Sequence, residues 1–201
     1  MESEELKLLS LAEVIDCYLR FAFIRSCKFT NNRLLIEKIV FTVFLDMFYM
    51  AQRLKGDGDL PVAIDIMIDA VGTDLTRRED CKQNGGLFIK EELHLHIVEA
   101  VNKLDSPERL VLVLFHIDKI NIEKLAVIFA EPVGQMKVLI GGAQRGFIEN
   151  LSDFMPKNTS LFAEDIDKWL GLLGDYFNQA DMDRMQKSIL ARLSGEGRLD
   201  N

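Results

Sequence analysis

Residues 107–151 constrain the fold of this chain most, because they carry the start and stop signals of three consecutive helices. Ser106-Pro107 is a typical helix start, since serine caps a helix and proline is tolerated at the first helical position. Asn121 predicts the cap of a second, short helix. Glu131-Pro132 ends that helix, because the residue before a proline is disfavoured in the helical conformation. A third helix is predicted over residues 133–151.

The short middle helix has one apolar face, because Leu125, Ile128 and Phe129 follow the i, i+3, i+4 spacing of a buried helical stripe. A helix, a short turn and a second helix form the helix-turn-helix arrangement, in which the second helix enters the major groove of DNA. The segment therefore predicts a helix-turn-helix with residues 133–151 as its recognition helix.

The rest of the chain has the same helical character. Further helices are predicted over residues 6–29, 33–54, 60–76 and 87–104, with two more in the tail, one starting at Leu161 and one capped by Asp181. Strand-like alternation is absent, and only four of the 201 residues are proline. We therefore expect an all-α protein.

The formal net charge of −8 limits nucleic-acid binding, because affinity for DNA depends largely on Lys and Arg side chains that neutralise phosphates. An acidic chain binds DNA only where its positive charge is clustered on one face, and the sequence contains no convincing cluster of that kind. The charge therefore argues against a strong, autonomous DNA binder.

Cysteine usage and the chain's apolar runs bear on its location. The three cysteines are widely spaced and odd in number, which is unlike a disulfide framework. No apolar run approaches the ~20 residues that span a bilayer, and the acidic start MESEELKLL lacks the basic residues of a signal peptide. We expect a cytoplasmic protein without a membrane partner.

Residues 107–151 also match a known pattern without gaps. The matching residues are Pro107-Glu108-Arg109, Ile120-Asn121-Ile122-Glu123, Leu125-Ala126, Ile128 and Val133-Gly134-Gln135-Met136-Lys137. On these residues the segment resembles the C-terminal domain of bacterial extracytoplasmic-function sigma factors. The family usually has S-V-G-T-V-K at the last turn, so Pro132 replaces a serine and Gln135 a threonine. The apolar skeleton is kept, while most polar residues are not.

The first half of the chain resembles the same family more weakly. Residues 38–48, KIVFTVFLDMF, align with a family helix that has approximately the pattern D-L-V-Q-E-x-F-x-x-A-W, and residues 53–58, RLKGDG, with its R-F-R-G-D-G turn. The resemblance covers roughly residues 14–151. It implies a sigma-like N-terminal helical domain at 1–76, a linker at 77–86 and a helix-turn-helix domain at 87–151. The extra helical tail at 152–201 lies beyond the resemblance.

The resemblance implies a surface for RNA polymerase on the second helix. In the family this helix grips the polymerase clamp through acidic and amide side chains, and Lys38, Phe41 and Thr42 occupy the matching positions here. One charge is reversed and two polar groups are lost. Phe41 is either a core residue or an exposed ring that something else covers.

The family's next helix opens the promoter with aromatic and basic residues, which single-stranded DNA binding requires. Val62 and Ala63 stand at positions where the family has bulky residues. Asp65, Asp69 and Asp74 are expected to add negative charge where phosphates would lie. The resemblance therefore does not extend to promoter melting.

The recognition helix keeps only part of the family's polar residues. Gln135, Lys137 and Arg145 are the candidates for contact with double-stranded promoter DNA, while Leu139 replaces an arginine. Two adjacent glycines, Gly141-Gly142, either kink this helix or permit a close helix contact. Alternatively, the three polar residues are ordinary surface residues on an inherited scaffold.

Two functions remain open on these grounds. The first is a sigma-factor-like regulator of transcription initiation that binds RNA polymerase core, promoter DNA or both. The alternative is a degenerate sigma-fold interaction module that binds an anti-sigma factor, another regulator or a second copy of itself, without binding DNA. The acidic balance, Phe41, Leu139 and the helical tail favour the alternative.

Enzymatic chemistry has no support in the sequence. No nucleophile, base and orienting group occur together by spacing. His94 and His96 are two residues apart, so on a helix they face different ways. Gly56-Asp57-Gly58-Asp59 is too short for a calcium loop. We expect a protein that is not an enzyme and has no metal site and no cofactor.

Overall fold

The computed structural model describes residues 11–50, 60–79, 89, 91–156, 161, 165–174 and 179–193. Over these ranges every regular element is a helix, which confirms the predicted all-α fold. The helices are α1 Leu11–Ser26, α2 Arg33–Met50, α3 Leu60–Glu79, α4 Glu92–Asn102, α5 Ser106–His116, α6 Ile122–Ile128, α7 Val133–Ser152, α8 Ile166–Gly174 and α9 Gln179–Leu193.

Several helix ends differ from the predictions. Helix α1 ends at Ser26 rather than at residue 29, α4 begins at Glu92 rather than at residue 87, and α8 begins at Ile166 rather than at Leu161. Ser106 is the first residue of α5 rather than its cap, and the preceding residue Asp105 occupies the cap position without a capping bond. Asp181 lies inside the first turn of α9, so it is not the cap of that helix. Helix α3 continues to Glu79, past the predicted linker start, and most of that linker lies outside the described residues.

Helix α1 is the centre of the core. It packs against α2, α3, α4, α5 and α9. Because it has neighbours on nearly every side, its second half is buried all round, from Phe21 to Ser26. A helix that is apolar around its whole circumference is expected in such a central position.

The first three helices and the helix-turn-helix segment share this core, since α5 packs against both α1 and α3. A buried charge network joins them. Asp65 on α3 accepts hydrogen bonds from Arg25 Nε on α1 and from Arg109 Nη1 on α5, both at 2.7 Å. In addition, Asn102 Nδ2 donates to the carbonyl of Ile24 at 3.1 Å. The division into separate domains remains a prediction.

The prediction that Asp65 lies where phosphates would bind is wrong. Its side chain is only 10% exposed and is held between two arginines. Burial alone would raise the pKa of Asp65, but the hydrogen bond from Arg25 and the charge of Arg109 outweigh it and lower this pKa. Asp69 is half exposed and pairs with Arg25 and Lys28.

The tail packs onto both parts of the chain. Helix α8 lies against α4 and α5, and α9 lies against α1 and α2. Ile166, Leu170 and Leu173 of α8 and Met182 and Ile189 of α9 are buried in the same core. The tail is therefore an integral layer of the fold.

Glycine permits close packing at two points where a helix contacts a residue between helices. A Cβ on Gly72 of α3 would lie 2.5 Å from the ring of Phe29, and one on Gly146 of α7 would lie 2.8 Å from Leu104. At Gly142 a Cβ would lie 3.0 Å from Glu108 of α5. Helix α7 runs without interruption through this region, so of the two roles considered for the glycine pair, Gly142 fulfils the close helix contact.

Candidate interaction surfaces

The helix-turn-helix geometry predicted from the sequence is present. The axes of α6 and α7 meet at a bend of 99°, in the range of DNA-binding helix pairs. Asn121 caps α6 as predicted, because its Oδ1 accepts a hydrogen bond from the backbone N–H of Lys124 at 2.8 Å. Ala130, in the turn, has φ 52°, a left-handed conformation that is uncommon for a residue with a side chain.

Gln135, Lys137 and Arg145 are all exposed on α7, but the helix does not bring them together. At 100° per residue, Gln135 and Lys137 project about 160° apart around the helix axis. Arg145 lies a further ~12 Å along the helix from Lys137. The two basic residues therefore do not form a compact positive patch.

The middle of the outer face of α7 is apolar. Val138 is 67% exposed there, between Gly134 and Gly141, and Val127 on α6 is 66% exposed. Beside Val138 is a groove of about 540 Å³, lined by Pro107, Phe129, Glu131, Gln135, Met136, Val138 and Leu139. Of the predicted DNA-contact residues, only Gln135 borders it.

Helix α3 presents a second apolar face. Val62, Ile66 and Ala70 recur at i, i+4, i+8 and are exposed, with Ile66 at 63%. Residues with this spacing lie on one side of a helix. Helix α3, which the resemblance aligns with the promoter-opening helix of sigma factors, therefore carries exposed aliphatic side chains, with no aromatic side chain among these three.

The face of α2 predicted to bind polymerase is largely covered by α9. Phe41 is half-buried, and the guanidinium of Arg192 lies 4.3 Å from the centre of its ring. This is a cation–π contact. Thr42 is only half exposed, and its Oγ1 donates to the carbonyl of Lys38 at 2.8 Å, within its own helix. Lys38 itself is exposed.

Ion pairs also join α9 to the same face of α2. Arg33 Nη2 lies 2.9 Å from Asp181, and Arg184 Nη2 lies 3.5 Å from Glu37. Gln186 Nε2 adds a bond of 3.4 Å to the carbonyl of Ala12 on α1. Of the two alternatives for Phe41, the structure therefore favours a ring that another element covers.

A polar cavity of about 280 Å³ lies where α1, α6 and α9 meet the turn after α5. Arg20 of α1 pairs with Asp118 of that turn, and Cys17 and Lys124 also line the cavity. Burial raises the pKa of Asp118 to about 6, even though the charge and hydrogen bond of Arg20 act in the opposite direction. A carboxyl group in this environment titrates near neutral pH.

A buried histidine, His116, connects α7 to α8 of the tail. His116 Nδ1 lies 3.0 Å from Asp167 Oδ1 of α8, and its Nε2 lies 3.1 Å from Gln144 Nε2 of α7. Lys119 Nζ also donates to Asp167, at 2.6 Å. The hydrogen bonds from Lys119 and His116 lower the pKa of Asp167. These contacts link α5, α7 and α8 through the side chain of His116.

The other two histidines are separated, as their spacing predicted. His94 is buried, with Nδ1 3.2 Å from Glu91, while His96 stacks on Phe154 with ring centres 5.0 Å apart. Within the described ranges, no three His, Cys, Asp or Glu side chains are placed to hold a metal ion.

Comparisons with models of protein families, with curated proteins and with solved structures found no match. The resemblance to sigma factors therefore rests on the residues named above. Among the described helices, none is by itself long and apolar enough to cross a membrane, whereas the bent pair α6 and α7 meets the length and composition criteria when taken together.

Sequence reasoning missed two features of these surfaces. It did not place α9 on α2, because helical spacing in α9 shows which residues are buried but not against which helix. It also treated Gln135, Lys137 and Arg145 as one group. A helical-wheel projection of α7 would have separated Gln135 from Lys137 and placed Val138 between their two directions.

Proposed function

We propose that this chain is a sigma-factor-like regulator of transcription initiation that acts through protein contacts and does not itself recognise a promoter. Two observations support the sigma-like scaffold. The residues of segments 38–58 and 107–151 resemble the family, and α6 and α7 have the helix-turn-helix geometry. The apolar character of the surfaces that would meet DNA supports action through protein.

The apolar outer face of α7 carries this proposal. Its centre is Val138, which is 67% exposed. A recognition helix needs donors and acceptors for base edges and cations for phosphates. An exposed valine with glycines on either side offers neither, but it provides surface that is stabilised when another protein covers it.

The same reasoning applies to α3. Its exposed aliphatic residues Val62 and Ile66 cannot bind the sugar–phosphate backbone, and the chain's net charge of −8 opposes the approach of DNA. In contrast, the face around Phe41 on α2 is occupied by α9. We therefore place the accessible partner surface on α3 and α7. Binding of polymerase through Phe41 and Thr42 would require α9 to move away from α2.

A second candidate function is binding of double-stranded promoter DNA through Gln135, Lys137 and Arg145. Its support is that all three are exposed and that, within the described ranges, Lys137 and Arg145 form no ion pair. Two phosphate contacts would give a slope of about −2 in a plot of log affinity against log salt concentration.

Binding of the full-length chain to double-stranded DNA across a salt series separates the two candidates. If protein contact is the function, binding is undetectable even at about 50 mM salt, where electrostatic binding is strongest. If promoter binding is the function, Lys137→Ala and Arg145→Ala each reduce the salt slope by about one. Lys187→Ala is the matched control, because it removes the same charge from exposed α9 surface.

A further inference from the structure

Helix α9 buries less apolar surface than its neighbour α8. Of the α9 side chains that the structure describes, Met182 and Ile189 are buried, in a helix of 15 residues. Helix α8 buries Ile166, Leu170 and Leu173 in only nine residues. Because most of the stability of a helix in a protein comes from packing of its apolar face, α9 is the more weakly anchored of the two tail helices.

Four charged side chains alternate across the contact between α2 and α9. Arg33 Nη2 lies 2.9 Å from Asp181, and Arg184 Nη2 lies 3.5 Å from Glu37. All four side chains are between 24% and 66% exposed. Ion pairs that water reaches contribute little to stability and weaken as salt rises. These pairs therefore orient α9 on α2 without holding it firmly.

The cavity of about 280 Å³ lies directly beneath α9. Met182 and Gln186 of α9 line it, together with Cys17 of α1 and Lys124 of α6. Protein interiors normally leave few voids larger than a water molecule. The contact surface below α9 is therefore incompletely filled at this point. If α9 moved away, Cys17, which is 8% exposed, would become accessible.

The surface that α9 covers on α2 is one continuous stripe. Arg33, Glu37 and Phe41 follow the i, i+4, i+8 spacing of residues on one side of a helix. The guanidinium of Arg192 lies 4.3 Å from the centre of the Phe41 ring. Aromatic rings and arginines are enriched where proteins meet. Without α9, the stripe would thus have the composition of a protein-binding surface.

We infer that α9 is a releasable strap, which closes the stripe of Arg33, Glu37 and Phe41 in the isolated chain and gives it up to a protein partner. The partner supplies what α9 supplies: a carboxylate for Arg33, and cations for Glu37 and for the ring of Phe41. Duplex DNA does not fit, because its phosphates would lie against Glu37 and provide no cation. The inference rests on the proposed function and adds its regulation, since α3 and α7 are always open whereas this stripe opens only when α9 leaves.

Labelling of Cys17 by a maleimide in the full-length chain measures the release of α9. Under α9, burial raises the pKa of the Cys17 thiol, so it reacts slowly until α9 moves away. Arg184→Glu places a like charge beside Glu37 and is expected to raise the labelling rate by about threefold or more. The wild-type rate should rise between about 50 mM and about 500 mM salt, because salt screens the ion pairs.

Lys187→Glu is the matched control for Arg184→Glu, because it reverses a charge of the same sign on the same helix. Lys187 is exposed and lies two residues from the buried Ile189, so it projects about 160° away from that side chain. This variant should leave the labelling rate of Cys17 unchanged. An equal increase in both variants would show that α9 responds to its total charge and not to its contact with α2, and would overturn the inference.

Cys27 distinguishes release of α9 from wider unfolding. It follows the end of α1 opposite to Ala12, the residue whose carbonyl Gln186 of α9 contacts. Burial raises the pKa of Cys27 to about 12, so it should stay unlabelled while α9 alone moves. Mass spectrometry of the digested protein assigns each label to its cysteine. Labelling of Cys17 that ignores Arg184→Glu, or that rises only together with that of Cys27, would refute the strap.

Retention of RNA polymerase core by the immobilised full-length chain tests what the strap closes. In a Val138→Glu background, which removes retention through the exposed face of α7, adding Arg184→Glu should restore retention by opening the α2 stripe. Adding Phe41→Ala as well should cancel that gain. If Arg184→Glu speeds Cys17 labelling but gives no gain in retention, the inference that a partner replaces α9 is wrong.

The two assays also separate this inference from the proposed function. If no variant retains polymerase core, the wild type included, the proposed function is contradicted, and the labelling of Cys17 still decides whether α9 is released. If the wild type retains polymerase core and the labelling of Cys17 is the same in every variant, the proposed function stands and the strap is refuted.

Discussion

Replacing Asp65 by asparagine should lower the free energy of unfolding more than any other single charge removal among the residues the structure describes. The carboxylate is 10% exposed and accepts two hydrogen bonds of 2.7 Å, from Arg25 on α1 and Arg109 on α5. The substituted asparagine would keep the side-chain shape and lose the charge. Two guanidinium groups that are 3% and 7% exposed would then face each other without their shared counter-charge.

The expected loss of stability follows from the burial of the two arginines that Asp65 binds. Breaking a buried ion pair by removing one partner typically costs about 3–5 kcal/mol, because the remaining charge is left in a poorly solvated site. Asp69 provides the matched control, since its carboxylate also binds Arg25, at 2.5 Å, but is 46% exposed. Asp69→Asn should therefore cost no more than about 1 kcal/mol.

The assay is urea unfolding followed by circular dichroism at about 222 nm, with the free energy of unfolding from linear extrapolation. Because the network joins α1, α3 and α5, Asp65→Asn should lower the midpoint of the whole transition rather than split off one part. A loss within about 1 kcal/mol of that of Asp69→Asn would refute the claim that this network holds the two parts of the chain together.

Three other predictions concern local features. Asp118, whose pKa is about 6 in the folded protein and ordinarily about 3.9, binds a proton more tightly when folded. Its contribution to stability is present below about pH 4 and is lost as pH rises through 6, and Asp118→Asn should remove that part of the pH dependence, as measured by unfolding at several pH values. Asn121→Ala should cost about 1 kcal/mol in urea unfolding by removing the α6 cap. Gly72→Ala should cost about 1–3 kcal/mol by collision with Phe29, whereas Gly171→Ala, which meets nothing within 4 Å, should be neutral or stabilising in the same assay.

Periodicity and turn chemistry predict most of the helices. The bounds of α6 and α7 follow from Asn121 and Pro132, because a cap and a proline act locally and need no tertiary information. The same local reasoning predicts a cap at Ser106, but this residue lies inside α5 and donates a hydrogen bond to Asp65. Ser106 therefore binds Asp65, a residue distant in sequence, and does not cap its own helix as its local preference predicts.

Long-range packing could not be predicted. An aspartate in the middle of α3 has the same sequence signature whether it faces solvent or two buried arginines, so sequence reasoning places Asp65 on the surface although it is buried. Likewise, nothing in residues 179–193 indicates that Arg192 lies over Phe41. Both contacts depend on which helices are neighbours, and the intrinsic preferences of single helices do not determine this.

The most direct test of the central claim is a pull-down of RNA polymerase core, without DNA, by the immobilised full-length chain at about 50 mM and about 200 mM salt. Contacts made through apolar surface are little screened by salt, so our account predicts retention at both concentrations. Val138→Glu should abolish retention that depends on the α7 face, while Lys187→Ala should not affect it. Retention that requires added promoter DNA and falls steeply with salt would contradict the account and favour a promoter-binding sigma factor.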